Sequence, residues 1–492
     1  MRKSLFAAIA IGLGASGAAQ AVYLNPHGLG QVLVYPYYTI NAGQSTLMTV
    51  VNTTARGKAL RLRIHEGYNG RYVLAFNIYL SPFDVWSAEI GPNSEFADND
   101  AEIATSDTSC TVPYFSHVAF RNLDYAGQNN DTGPEGFARA REGHFDIIEM
   151  GEVTNGTNGT LDAISHVDGD APADCTKVTQ AWVNGYWSAD PTIDMAPPGG
   201  GLYGTESIID VAQGTIYTID AAALDGFSAT IQHTIASSND GPDLDTANDA
   251  AGADTVTAFV PVGAKMLAAK YQRPVDAVSA VLMADSLYNE YEVDPAIGAT
   301  SDWVVTFPTK HFYVDLDENP GVNAISNPPF DEKFGATVPG KSCSPIGLRV
   351  YDRDELTTTV GFPGTSPNIV LPTLCFETNV LPIKSAISLL GSQLLDANDL
   401  LGSQLPFAAG HIAASLVNSA DAAGNVSADP AHALSASANG YVFKGMPAIG
   451  FLARSYINAN VTPGVLANYS GLIPHRASVT CTTSTSPASA CQ

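Results

Sequence analysis

A period of two governs the early part of the chain. In KALRLRIHEG, Leu60, Leu62 and Ile64 alternate with Arg61, Arg63 and His65, the pattern of a half-buried strand with one wet face. RYVLAFNIYL follows, with Tyr72, Leu74, Phe76, Ile78 and Leu80 sharing one face. EGYNG between them supplies turn residues, so the two segments predict a hairpin. TLMTVVNTT is apolar on both faces and reads as a more central strand. Strands of this kind must close their apolar faces against a second layer. The expected fold is mainly β: an antiparallel β-sandwich architecture with long loops and a few short helices.

The stretch VYLNPHGLGQVLVYPYYT, residues 22–39, alternates less cleanly, with Val32 and Val34 on one face against Leu33, Tyr35 and Tyr37. Pro36 has no donor for a ladder and belongs at an edge or a bulge. On an edge strand, tyrosines bury their rings while their hydroxyls reach water, so packing explains them. The functional alternative is an edge that pairs with another chain by strand addition. Farther on, Pro274 marks a helix start and AVSAVLMADSLYNEY has a partly helical apolar spacing, so short helices are expected around residues 275–291. WVVTFPTKHFYVD, IGLRVYD and TLCFETNVL return to strand patterns, and LLGSQL occurs at 389–394 and 400–405 without defining a repeat architecture. The partition expected is a leader at 1–21, a β-sandwich unit at 22–190, a second β-rich unit with short helices at 191–376, and a β-rich tail at 377–492 available to complete the earlier sheets.

The compartment is read from the first residues. Arg2 and Lys3 precede the apolar LFAAIAIGLGASG, and Ala19, Gln20 and Ala21 form an A-x-A signal, so cleavage is expected after Ala21. The apolar run is short of the roughly 20 residues that a spanning helix needs, and no membrane-spanning segment is expected after cleavage. Six cysteines, Cys110, Cys175, Cys343, Cys375, Cys481 and Cys491, follow. In an exported chain they read as disulfides, and nearest-neighbour pairing gives 110–175, 343–375 and 481–491. There is no C-x-x-C, which disfavours zinc and thiol redox chemistry. With 49 Asp and Glu against 23 Lys and Arg, the formal charge is −26. Such acidity disfavours nucleic acid and anionic membrane, which require a basic footprint.

Chemical motifs are sparse. Asp240, Asp243, Asp245, Asp249 and Asp254 crowd one loop and are the candidate ligands for calcium, a hard cation that takes oxygen donors, although their spacing is not that of an EF-hand. A solvated acidic loop is the simpler reading of the same residues. Asp168, Asp170 and Asp174 make a second partial match. His65-Glu66 lacks the second histidine of a zincin, and no nucleophile elbow occurs. Glu149 and Glu152 are conceivable catalytic acids, but a buried, satisfied carboxylate is the simpler explanation. Residues 351–355, YDRDE, read as a salt-linked turn. Asn52, Asn130, Asn155, Asn158, Asn425, Asn460 and Asn468 sit in N-x-[ST] triplets that chance explains.

Several segments together carry a resemblance: GLGQVLVYPYYT with TLMTVVNTT, LSPFDVW, REGHFDIIEMGEV, WVVTFPTKHFYVD, CFETNVL and GVLANYSGLIPHR. They resemble a group of uncharacterised exported or cell-surface proteins of Gram-negative bacteria. The resemblance implies export and one family fold across most of the mature chain, and brings no assigned activity, catalytic residue or cofactor. The expected function is that of an exported, non-catalytic β-sandwich protein acting by interaction at or outside the cell surface, its partner a surface or extracellular molecule or a second copy. The alternatives are a secreted hydrolase of polysaccharide and a calcium- or glycan-binding module. Exposed Trp86, Trp182, Trp187 or Trp303 around a groove would favour glycan, and facing carboxylates in a cleft would favour the hydrolase.

Overall fold

The computed structural model describes residues 20–93, 100–237, 241–315, 326–360, 362–363, 369–370, 373–383, 385, 388–394, 407–418, 432–458, 462, 465 and 467–491. Residues 1–19 of the expected leader, Asp240, Asn425, Asn460 and the second LLGSQL lie outside them. The first half supplies fourteen strands: β1 (Tyr23–Leu24), β2 (Val32–Thr39), β3 (Ser45–Asn52), β4 (Gly57–Glu66), β5 (Tyr72–Leu80), β6 (Val85–Pro92) and β7 (Ala101–Ala104) come first. β8 (Cys110–Val112), β9 (His117–Ala119), β10 (Glu142–Val153), β11 (Met195–Ala196), β12 (Leu202–Asp210), β13 (Thr215–Asp220) and β14 (Ala222–Asp225) follow.

An eight-stranded sheet has the order β1-β14-β2-β10-β4-β5-β8, with β11 also on β10, and a six-stranded sheet runs β13-β12-β3-β6-β7-β9. All their pairings are antiparallel, and the alternation in the sequence sets what lies between them. Leu33, Leu60, Leu62, Phe76 and Ile147 from one sheet meet Met48, Val50, Trp86, Ile90 and Leu202 from the other in one buried core. Each such side chain contributes roughly 1.5–3 kcal/mol by leaving water. The β4–β5 hairpin forms as the turn residues predict, and β3 lies inside its sheet between β12 and β6.

The second face of the eight-stranded sheet is covered too, which corrects the expectation of a wet face on β4. Arg61, Arg63 and His65 are buried, because the rest of the chain folds over them. Helices α1 (Thr160–Ile164), α2 (Cys175–Val183) and α3 (Tyr186–Ala189) cover Tyr79 and Met150. Helix α4 (Pro274–Leu282) and the hairpin of Val256–Val262 with Lys265–Tyr271 help to cover Val32, Val34 and Ile148. Two further sheets share that larger core. One runs through Thr357–Val360, Gly347–Tyr351, Ala409–Ser415, Ser286–Glu292 and Arg476–Ser478, the other through Thr378–Pro382, Ala299–Thr306, Ile449–Tyr456 and Tyr469–Pro474. The sheets cross residues 190 and 376, since β12 pairs with β3 and Thr378–Pro382 pairs with Ala299–Thr306.

Other local expectations are corrected by the same packing. β2 is not an edge strand: it lies between β14 and β10. Pro36 does occupy a bulge, where the register with β10 shifts between Gly143 and Phe145. The bulge sends Tyr37 to the opposite face, while Tyr35 and Tyr38 stay in the sandwich core. Their hydroxyls do not reach water but donate to Thr49 O (2.6 Å), Glu142 Oε2 (2.8 Å) and Ala140 O (3.0 Å) for Tyr35, Tyr37 and Tyr38 respectively. A second bulge at Val73 turns Tyr72 away from Leu74 and towards Arg63 and His65. α4 starts at Pro274 as expected but ends at Leu282, after which Leu287, Asn289 and Tyr291 alternate with exposed neighbours in a strand. HFYV, read as strand, forms the short helix α5 (His311–Val314).

Candidate functional site

β8 pairs with β5 only where Asn77, Ile78 and Tyr79 face Val112, Thr111 and Cys110. The next residue, Pro113, has no N–H to continue the ladder, and the chain departs to build β9 in the other sheet. Beside the uncovered part of β5 lies a cleft of about 810 Å³. Arg61, Arg63 and Arg71 line its floor; Tyr114, Phe115, Arg121, Leu123 and Asp124 form its outer wall; His311 and Asp315 close the far side. Tyr114 and Leu123 are 78% and 64% exposed, so the outer wall offers apolar surface to solvent.

The arginines are held by their surroundings. Arg61 Nη1 donates to Asn77 Oδ1 (3.1 Å), and burial, with the like charge of Arg63, pulls its pKa down to about 10. Arg63 stacks over Tyr72 at 4.5 Å and has Asp243 at 4.0 Å. Burial acts against its charge, but Tyr72, Asp243 and Asp146 outweigh it and raise the pKa. Arg71 pairs with Asp315 (2.6 Å), and Arg121 is exposed at the rim. Burial raises the pKa of Asp124 against the lowering pull of Arg71 and Arg63.

Behind the far wall lies a buried charge network. His65 lies 2.8 Å from both Asp146 Oδ2 and Gly70 O, and His144 stacks on it at 4.6 Å. Glu377, from the second half of the chain, lies with Oε1 2.8 Å from His311 Nδ1 and accepts the His311 backbone N–H at Oε2 (3.1 Å). Burial lifts Glu377 to about 8 and draws Lys310 down to about 7. It also holds His144 well below the ordinary histidine range, helped by the charges of His65 and His311. For His65 burial again lowers the pKa, but Asp146 and Glu377 prevail and raise it. Arg139 is gripped by Glu66 (2.8 Å) and Asp131 (2.6 Å). The near-parallel rings of His65 and His144, 8° apart, do not converge their nitrogens on one point. Among the described residues no group of three or more His, Cys, Asp or Glu is arranged to hold a metal ion.

The acidic loop is dispersed in the same way. Asp243 faces Arg63, Asp245 Oδ1 accepts the Val275 N–H at the start of α4 (2.7 Å), and Asp249 Oδ2 accepts Thr257 Oγ1 (2.7 Å), while Asp254 is exposed. Asp174 caps α2, and Asp168 and Asp170 lie exposed in a turn. Glu149 is buried and satisfied: Lys58 Nζ approaches it at 2.8 Å and Glu152 at 3.1 Å, and Gly199 and Gly200 donate to Glu149 as well. Trp86, Trp182, Trp187 and Trp303 are all buried. The YDRDE turn is salt-linked outward, Arg353 to Glu292 (2.6 Å), beside a second pocket of about 620 Å³. Its other arginine, Arg454, is engaged by Glu290 (3.2 Å). All three disulfides, Cys110–Cys175, Cys343–Cys375 and Cys481–Cys491, are formed as read from the sequence.

Sequence reading missed the cleft. Arg61 and Arg63 were visible as one strand face, but the cover over them, and the meeting of His65 with His144, His311 and Glu377, depend on contacts between remote segments that leave no local pattern. No family model, no curated protein and no solved structure matches the chain.

Proposed function

We propose that this is an exported, non-catalytic binding protein that takes an anionic ligand in the cleft over β4 and β5. One observation carries the reading: Arg61, Arg63, Arg71 and Arg121 line a single cleft in a chain of formal charge −26. A basic cleft in an acidic molecule attracts anions locally while the rest of the surface repels them. The three disulfides support an oxidising compartment. No described helix is long and apolar enough to cross a membrane. A surface or extracellular partner remains the fitting setting. Burial of all four tryptophans weighs against a tryptophan-lined glycan platform, and calcium has no assembled set of ligands among the described residues to support it.

Titration calorimetry with citrate, acidic peptides and uronic-acid oligosaccharides tests the reading. Affinity should fall with ionic strength. Arg121→Glu should weaken binding about fivefold, the upper range for an exposed charge. Salt-independent binding, or none, overturns it. Polysaccharide hydrolysis is the second reading, favoured by the presence of Asp124 and Asp315 in the same cleft. A carboxyl whose pKa burial raises, together with one beside an arginine, suits acid and base roles. Turnover of an acidic polysaccharide, abolished by Asp124→Asn and by Asp315→Asn, would establish it in place of simple binding.

A further inference from the structure

We propose that the cleft's ligand is an extended acidic peptide, which adds to the open edge of β5 at Ala75; this rests on the anionic-ligand reading above. The backbone geometry gives the docking point. In an antiparallel strand, both the N–H and the C=O of a residue point to the same side, and alternate residues share that side. Val73 C=O points outward, since it accepts the Arg121 N–H (2.9 Å), and β8 approaches the same edge from Asn77 onward. Ala75 lies between these two and presents its N–H and C=O to the cleft. Among the described residues neither group has a hydrogen-bond partner, and Ala75 is partly exposed.

Two other edges are capped by side chains. Asn439 caps the strand Lys265–Tyr271, its side chain accepting from the Lys270 N–H (3.1 Å) and donating to Ala268 O (2.7 Å). Ser470 does the same for β13, accepting from the Ile216 N–H (2.9 Å) and donating to Ile216 O (2.7 Å). Exposed edges invite pairing and folded proteins usually block them. At Ala75 the edge is left open inside a cleft.

Side chains specify the occupant. Ala75 stands directly opposite Arg63 in the β4–β5 register. A strand added at Ala75 would lie two strand spacings from β4, about 10 Å away. The small Ala75 side chain leaves the space between open. A glutamate in the added strand can therefore reach back over Ala75 towards the charge of Arg63, whose guanidinium donates through Nη2 to Gly241 O (2.5 Å) and stacks on Tyr72, and whose buried Nε makes no hydrogen bond among the described residues. Arg121 stands at one end of the notch, and Tyr114 and Leu123 offer apolar contacts to side chains that alternate with the acidic ones. Backbone bonds would supply the affinity, and the arginines the preference for acidic residues.

The test is calorimetry on the full chain with a glutamate-rich hexapeptide, the same peptide N-methylated at each backbone amide in turn, citrate, and a uronic-acid oligosaccharide. The hexapeptide should bind, N-methylation at one position should weaken it at least tenfold, and Ala75→Pro should weaken the parent peptide similarly. If the Pro variant misfolds by circular dichroism, the N-methyl series on the unaltered protein still decides. Uniform tolerance of N-methylation overturns strand addition, as does tighter binding of the oligosaccharide than of the peptide; in both cases the anionic reading survives. If none of the probes binds, the anionic reading fails as well.

Discussion

Glu206 shows at the scale of one residue what the second layer costs and what the sequence leaves out. It lies on β12, is buried, and adds its charge to the burial that raises the pKa of the Tyr35 hydroxyl. Burial raises the carboxyl of Glu206 well above the ordinary range, against the lowering pull of the Tyr37 backbone. Because the folded state holds this proton more tightly than the unfolded chain, the contribution is full below the unfolded pKa. It is lost as pH rises through the folded one. Glu206→Gln should therefore gain stability over the parent as pH rises from 5 to 8, at most about 1.4 kcal/mol per pH unit. Urea unfolding at several pH values measures this, and a constant difference between the two proteins would contradict it. In the sequence, LYGTESIID reads as an alternating strand with Glu206 inside; nothing local says that the inward position is dry.

At the scale of elements, the period of two was legible where it carried apolar side chains. Leu60, Leu62 and Ile64 face the sandwich core as read. The opposite face was not legible, because arginine and histidine at alternate positions look the same whether they meet water or the buried Asn77 and Asp146. Likewise α4 was found from Pro274, but its end was placed too late, since LYNEY fits a helix or a strand until its neighbour Ala409–Ser415 is known. For β2 the question was whether the strand folds back or is donated. It pairs with β14 and β10 within its own chain, and Val22 and Val32 are fully buried. Deleting residues 22–39 should therefore remove a central strand and unfold the protein. Circular dichroism of the truncated chain checks this; a folded monomer with native β signal would refute the intramolecular role.

Over the whole molecule, two kinds of tie hold separate segments together: disulfides between neighbouring cysteines and a buried charge cluster between the halves. The disulfides were legible, because nearest-neighbour pairing needs no knowledge of the fold, and non-reducing peptide mapping should recover the same three links. Each stabilises by roughly 3–4 kcal/mol in the chain-entropy view. The charged tie was invisible, and it carries the sharper prediction. Glu377 reaches the turn of the β4–β5 hairpin, where Gly70 has φ +69° and a Cβ would come within 2.4 Å of the carboxylate. Here it meets His311 and lies 3.6 Å from His144. Its folded pKa of about 8 stands above the ordinary 4.5, and that of His65 is raised as well. Both groups therefore bind protons more tightly in the folded state, and their stabilisation is lost as pH climbs towards 8. Lys310, drawn from 10.5 to about 7, has the opposite slope, but only from pH 7 upward. Between pH 5 and 7 the Glu377 slope acts without that opposition; His65 adds to it only above its ordinary 6.5, and His144, held below 6.5, opposes it below that pH equally in both proteins. The parent should lose on the order of 1–2 kcal/mol relative to Glu377→Gln over this range, less than the limiting slope because His65 and Lys310 favour the ionised carboxylate. Parallel pH profiles for the two proteins in urea denaturation would show that Glu377 ionises as freely in the fold as out of it, and that the charged tie between the halves does not depend on its proton.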